Sequence, residues 1–155
     1  MIDLVALKMF LIKANKPHAN GGAELVKESD LSRTILFEEG EYRMHDNFFG
    51  GEPYGGRLVI FYKSEPVFIE VYYGRASRPV AEVYELLREA LQHPSDDNPF
   101  RGPAEYTKGN LTYKSVTEGD ITDHTVHEFI YDGKEEIYSA VIMGGLVDLN
   151  AKGSM

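Results

Sequence analysis

The sequence predicts an α+β fold: one domain, with two helices packed on antiparallel sheet, built as a duplicated α-ββββ unit. Three observations predict it. Apolar residues recur at helical three-and-four spacing in two separate stretches. Short alternating runs punctuated by turn residues follow each stretch. Segments of the two halves can also be laid on each other in order, the signature of a repeat. The domain is expected to span 1–148, with pseudo-repeats of about 1–75 and 76–148, and 149–155 forms a flexible tail.

The first helix is expected over 3–14, where Leu4, Val5, Leu7, Leu11 and Ile12 are apolar and Met9 and Phe10 widen the stripe. Strands follow at 34–38 and 41–46, separated by Glu39-Gly40, and at 57–63 and 66–73, separated by Ser64-Glu65. The second helix opens on Ser77-Arg78-Pro79, a cap followed by a first-turn proline. Val80, Val83, Tyr84, Leu87, Ala90 and Leu91 form one face; Glu82, Glu85, Arg88 and Gln92 form the other. It stops before His93-Pro94, because the residue ahead of a proline disfavours helix. Strands at 104–107, 111–118, 124–131 and 135–143 complete the second unit, with turns at Lys108-Gly109-Asn110 and Asp132-Gly133. Phe61 to Phe68 can be laid on Ile130 to Tyr138 with one extra residue in the second turn. Any two strand-turn-strand units share this pattern, so coincidence is the alternative.

The chain has 155 residues, a formal net charge of −9 and no cysteine. A basic stripe able to displace counterions from nucleic acid is missing, so no direct nucleic-acid partner is expected. Disulfides, thiolate catalysis and cysteine-ligated zinc are excluded together. The N-terminal apolar stretch carries Asp3 and Lys8 and is too short for a membrane span, so a cytoplasmic protein with no membrane partner is expected.

Candidate binding residues cluster in the first half. In the fourth strand Val67, Ile69, Val71 and Tyr73 line one face, and Phe68, Glu70 and Tyr72 the other. An acid between two aromatic rings suits a flat or cationic ligand; the alternative is a sheet edge with Glu70 hydrated in solvent. Residues 47–57, Asn-Phe-Phe-Gly-Gly-Glu-Pro-Tyr-Gly-Gly-Arg, read as a glycine–aromatic loop that either closes over a ligand or is merely long and turn-rich. Arg43, Asp46, Tyr54, Arg57, Glu70, Tyr72 and Arg101 are the candidate ligand-binding residues. His124 and His127 point to opposite faces of a strand, which argues against a metal site, and no catalytic or cofactor signature occurs.

Asp46-Asn47-Phe48-Phe49-Gly50-Gly51, Tyr54-Gly55-Gly56, Glu65-Pro66-Val67-Phe68, Tyr72-Tyr73-Gly74, Phe100-Arg101-Gly102-Pro103 and Gly144-Gly145-Leu146-Val147 carry a resemblance. In these stretches the chain resembles a bacterial and archaeal domain-of-unknown-function family, free-standing or fused behind XRE-type helix-turn-helix domains. The resemblance implies sensing or regulation and no established reaction. The leading expectation is a small-molecule-binding or regulatory domain with its ligand cleft between the repeats. The alternatives are a metal-independent hydrolase or isomerase using carboxylates such as Asp46 and Glu70, and an antitoxin-like protein-interaction module, with a homodimer among its forms.

Overall fold

The structure, a computed structural model, describes residues 2–19, 24–78, 80–94 and 100–148; Pro79 and the expected tail at 149–155 lie outside them. In chain order the elements are α1 (Leu4–Ala19), β1 (Leu25–Lys27), β2 (Arg33–Glu39), β3 (Tyr42–Gly50), β4 (Tyr54–Tyr62) and β5 (Glu65–Ala76). Then come α2 (Val80–Ala90), β6 (Glu105–Lys108), β7 (Leu111–Asp120), β8 (Asp123–Asp132) and β9 (Glu135–Leu146).

All nine strands join one antiparallel sheet in the order β1-β2-β3-β4-β5-β9-β8-β7-β6. This corrects the expected class. More than half of the described residues are strand and the helices are short, so the fold is mainly β rather than a duplicated α-ββββ unit with two helices on a sheet. The two halves do not form separate layers, because β5 and β9 pair along their length, from Phe68↔Leu146 to Ala76↔Tyr138. Strand β1 had no signal: its three residues are all exposed, so no apolar alternation marks it.

Local chemistry accounts for the hairpins. Gly40, Gly109 and Gly133 take positive φ in turns that close β2–β3, β6–β7 and β8–β9. Lys63 and Ser64 adopt positive φ without glycine where Tyr62 pairs with Glu65. Asp3 caps α1 by accepting from the backbone N–H of Val5 and Ala6 at 2.9 and 3.1 Å.

The expected glycine–aromatic loop is mostly strand. Pairs Asn47↔Arg57, Phe48↔Gly56, Phe49↔Gly55 and Gly50↔Tyr54 carry β3 and β4 outward, leaving a short turn at 51–53. A Cβ on Gly56 would meet Phe48 Cβ at 2.6 Å, so glycine is what lets the strand bearing Phe48 come close.

Leu7, Phe10, Leu11 and Ala14 of α1 and Val83, Leu86, Leu87 and Ala90 of α2 join the inward sheet residues in one buried core. That inward face carries Met44, Ile60, Phe68, Val126, Ile130 and Ile142. In β5 the aromatic–acid face, Phe68-Glu70-Tyr72, turns inward, while Val71 and Tyr73 are exposed. The more apolar face of that strand thus faces outward. Among the described residues no helix is long and apolar enough to cross a membrane.

Candidate functional site

Cross-strand register assembles a polar row on the inward face. Asp46 of β3 pairs with Leu58 of β4, Leu58 with Glu70 of β5, Glu70 with Gly144 of β9, and Gly144 with His124 of β8. Asp46 and Glu70 are therefore two strand spacings apart, about 10 Å at the backbone. Both carboxylates are buried, at 2% and 3% exposure.

Asp46, Leu58 and Glu70 of this row form the floor of a cavity of about 400 Å³ between the sheet, α2, the Asn15 end of α1 and the segment at Phe100-Arg101. Phe48, Leu58, Ile142, Leu87, Leu91 and Phe100 give it apolar walls. Tyr54, Tyr72 and Tyr84 add amphipathic rings, and Gly50-Gly51 and Arg33 also border it. Size and lining match those of small-molecule sites, which are mostly apolar with a few convergent polar groups.

Of the residues singled out in the sequence, Asp46, Tyr54, Glu70, Tyr72 and Arg101 line this cavity together. Arg43 and Arg57 do not. Arg57 pairs with Val71 on the outward face, and Arg43 lies over the Phe61 ring at 4.6 Å. Asn15, Tyr84, Leu87, Arg88, Leu91 and Ile142 were not singled out. Their only sequence signal was membership of apolar or helical stripes, which reads as core rather than cavity wall.

Glu70 and His124 hold a proton between them. His124 Nδ1 lies 3.1 Å from the Asp120 carbonyl oxygen, which can only accept, so Nδ1 carries its hydrogen. Nε2 then faces Glu70 Oε1 at 2.9 Å, and a hydrogen bond there requires one proton on either partner. The pair is imidazolium with carboxylate, or imidazole with carboxylic acid. Phe100 stacks on the imidazole at 3.9 Å and Phe68 at 5.8 Å, fixing the ring. Gly144 is needed in this row: a Cβ there would meet the Ile69 carbonyl oxygen at 2.0 Å.

The second wall is a tyrosine–arginine–glutamate network. Glu128, 0% exposed, accepts from Arg101 Nε and Nη2 at 2.9 Å each and from Tyr113 Oη at 2.6 Å. Tyr138 also donates to Glu128, at 3.4 Å, so Tyr54 must be the donor in its 2.5 Å contact with Tyr138. Tyr113 in turn accepts from the Gly102 backbone N–H, tying the Phe100-Arg101-Gly102 segment to β7. Burial opposes charge on Arg101, but the Glu128 carboxylate outweighs it and holds the guanidinium firmly protonated.

Tyr72 donates to Asp46 Oδ1 at 2.5 Å. Burial first, then the Asp46 carboxylate, pushes the Tyr72 hydroxyl far above its ordinary range. Burial likewise raises Tyr54, Tyr113 and Tyr138. At the cavity's edge Tyr84 hydrogen-bonds Glu52, whose Oε1 also accepts from the Ala76 backbone N–H. The β3–β4 turn is thereby tied to α2 and to the end of β5.

Chemically, the floor can accept hydrogen bonds and exchange a proton, and the walls can stack on a flat apolar body. Among the described residues no group of three or more histidine, aspartate or glutamate side chains is placed to hold a metal.

No curated protein and no solved structure matches the chain. The domain of unknown function DUF5680 is matched over residues 46–147, from Asp46 on the cavity floor to the end of the central strand pair. That match takes in most of the cavity's residues and well over half of the sequence, and the chain belongs to this DUF5680 family.

Proposed function

We propose that the chain is a small-molecule-binding domain whose ligand enters the cavity over the Asp46–Leu58–Glu70 row. The ligand has a flat, largely apolar body and a hydrogen-bond-donating head, of the amine or amidine type. One observation carries this: Glu70 is buried, is fixed through the bond of its Oε1 to His124, and lines a cavity of about 400 Å³ together with Asp46. A donor head from a ligand would make a charge-assisted hydrogen bond to that carboxylate. The rings of Tyr54, Tyr72 and Phe100 supply stacking surface and cation–π attraction. Arg101 contributes less charge to the ligand than the sequence suggested, because Glu128 neutralises it in a bidentate pair.

In the setting the family resemblance implied, behind an XRE-type helix-turn-helix domain, occupancy of this cavity would be the regulatory signal, in the cytoplasm. A second reading, metal-independent acid–base chemistry, is favoured by the Glu70–His124 proton lying on the same floor as Asp46.

Thermal-shift measurements with aromatic amidines and heteroaromatic amines, each paired with a neutral isostere, test the proposal. At a hundredfold excess over Kd, binding adds about 2.7 kcal/mol, or roughly 5–10 °C for a chain of this size. The cationic members should stabilise the wild type and lose that effect in Glu70→Gln. Equal melting curves with and without every probe would sink it. Turnover of an ester or ketone probe that disappears in Glu70→Gln would favour the catalytic reading instead.

A further inference from the structure

Among the described residues no helix covers the outward face of the sheet, which carries several exposed apolar side chains. Three register rows cross its six middle strands in the order β3, β4, β5, β9, β8, β7. They read His45–Val59–Ile69–Gly145–Asp123–Asp120, Asn47–Arg57–Val71–Met143–Thr125–Glu118 and Phe49–Gly55–Tyr73–Val141–His127–Val116. Phe49, Val71, Tyr73, Val116, Val141 and Met143 are 41–56% exposed, and all lie in the last two rows. Neither α1 nor α2 covers this side, since their buried residues join the inward core.

Beyond these rows the signs mix, with Arg43 beside Glu38 and Arg75 in one row with Lys114. Within them charge divides across the centre: exposed Arg57 lies on β4, whereas exposed Glu118, Asp120 and Asp123 lie on β7 and β8. That division makes the face complementary to itself.

We propose that this face is the interface of a homodimer, with the two-fold axis in the interface plane, parallel to the strands and between β5 and β9. The operation keeps each row and exchanges β5 with β9, β4 with β8, and β3 with β7. Val71 then meets the partner's Met143, Tyr73 meets the partner's Val141, and Phe49 meets the partner's Val116. Arg57 falls on the partner's Thr125, with the partner's Glu118 one strand away and the partner's Asp123 two residues along. An axis across the strands would instead stack Arg57 on the partner's Arg57 and Glu118 on the partner's Glu118. Charge therefore selects the first arrangement. Aligned sheets pack about 10 Å apart and rotated by roughly 30°, so the pairing is closest near the axis.

The area is sufficient. Six strands at about 4.8 Å and three to four rows at about 6.8 Å give roughly 600–800 Å², near what each partner commits in a standard interface.

Light scattering after size exclusion, with sedimentation to obtain the dimer constant, tests this on the whole chain. The wild type should dimerise, and Met143→Glu, placed at the centre of the interface, should abolish dimerisation. Arg57→Glu should weaken it at least about tenfold. In the isologous interface, adding Glu118→Arg to Arg57→Glu should restore most of the loss. The substituted side chains are exposed, and far-ultraviolet circular dichroism checks that each variant is folded. A wild type that stays monomeric overturns the proposal. So does a dimer indifferent to Met143→Glu, or an Arg57→Glu defect that Glu118→Arg deepens.

Discussion

Four tyrosines around Glu128 and Asp46 should make this protein fail sharply in alkali. Tyr54, Tyr72, Tyr113 and Tyr138 are held protonated in the folded chain by burial, with neighbouring carboxylates adding to it for each. In the unfolded chain each ionises near its ordinary value of about 10. A raised folded pKa contributes stability that is complete below that unfolded value and is lost as pH rises above it. Each tyrosine then removes about 1.4 kcal/mol per pH unit. Tyr113 and Tyr138, 0% and 1% exposed, together account for a loss of about 3 kcal/mol by pH ~11, which grows as pH rises further. Tyr54 and Tyr72 add to that loss in the same direction, which makes it a large share of the roughly 5–15 kcal/mol that holds a domain folded. The assay follows tyrosinate absorbance and far-ultraviolet circular dichroism through one alkaline titration. Ionisation of the buried set should appear together with loss of the sheet signal. Smooth ionisation of all ten tyrosines near pH ~10 with the sheet intact would refute the reasoning.

Two substitutions probe the same wall. Glu128→Ala strands the Arg101 guanidinium and removes the acceptor of Tyr113 and Tyr138; it should cost about 3–5 kcal/mol in urea unfolding. The double variant Arg101→Met/Glu128→Leu should be less destabilised than Glu128→Ala, because no charge is left unpaired. Gly74→Ala places a Cβ 2.5 Å from the Tyr54 hydroxyl, so the ring must swing away from Tyr138. We expect a loss of about 1–3 kcal/mol by thermal or urea unfolding.

Much of the strand pattern was legible because period-two alternation and turn residues are local signals. β7, β8 and β9 begin within a residue of where the sequence placed them. How the strands join was not legible. Pairing of β5 with β9 brings together residues some seventy positions apart, and nothing local to either strand encodes it. The same gap hid the Glu70–His124 pair and the burial of Glu128, since a carboxylate looks alike in sequence whether hydrated or bonded to a distant arginine. Glu70 reads slightly better as hydrated at a sheet edge, yet it is buried, because the Phe68-Glu70-Tyr72 face of β5 turns inward. Glycines at 55 and 56 suggested a loop, but they serve close aromatic packing within strands. Asp46, Tyr54, Glu70, Tyr72 and Arg101 were found by residue type, while Arg43 and Arg57 were placed with them without knowledge of which face each would take.

The central claim is that the helix-covered side of the sheet receives a ligand at Glu70. Methyl-resolved NMR, titrating the best aromatic amidine or amine from the thermal screen, tests it directly. The account predicts saturable shifts at Leu58, Leu87, Leu91 and Ile142, which line the cavity, with a change in the His124 ring nitrogens and none in Glu70→Gln. Shifts confined to Val71, Val141 and Met143 on the outward face, or none at saturating probe, would contradict it.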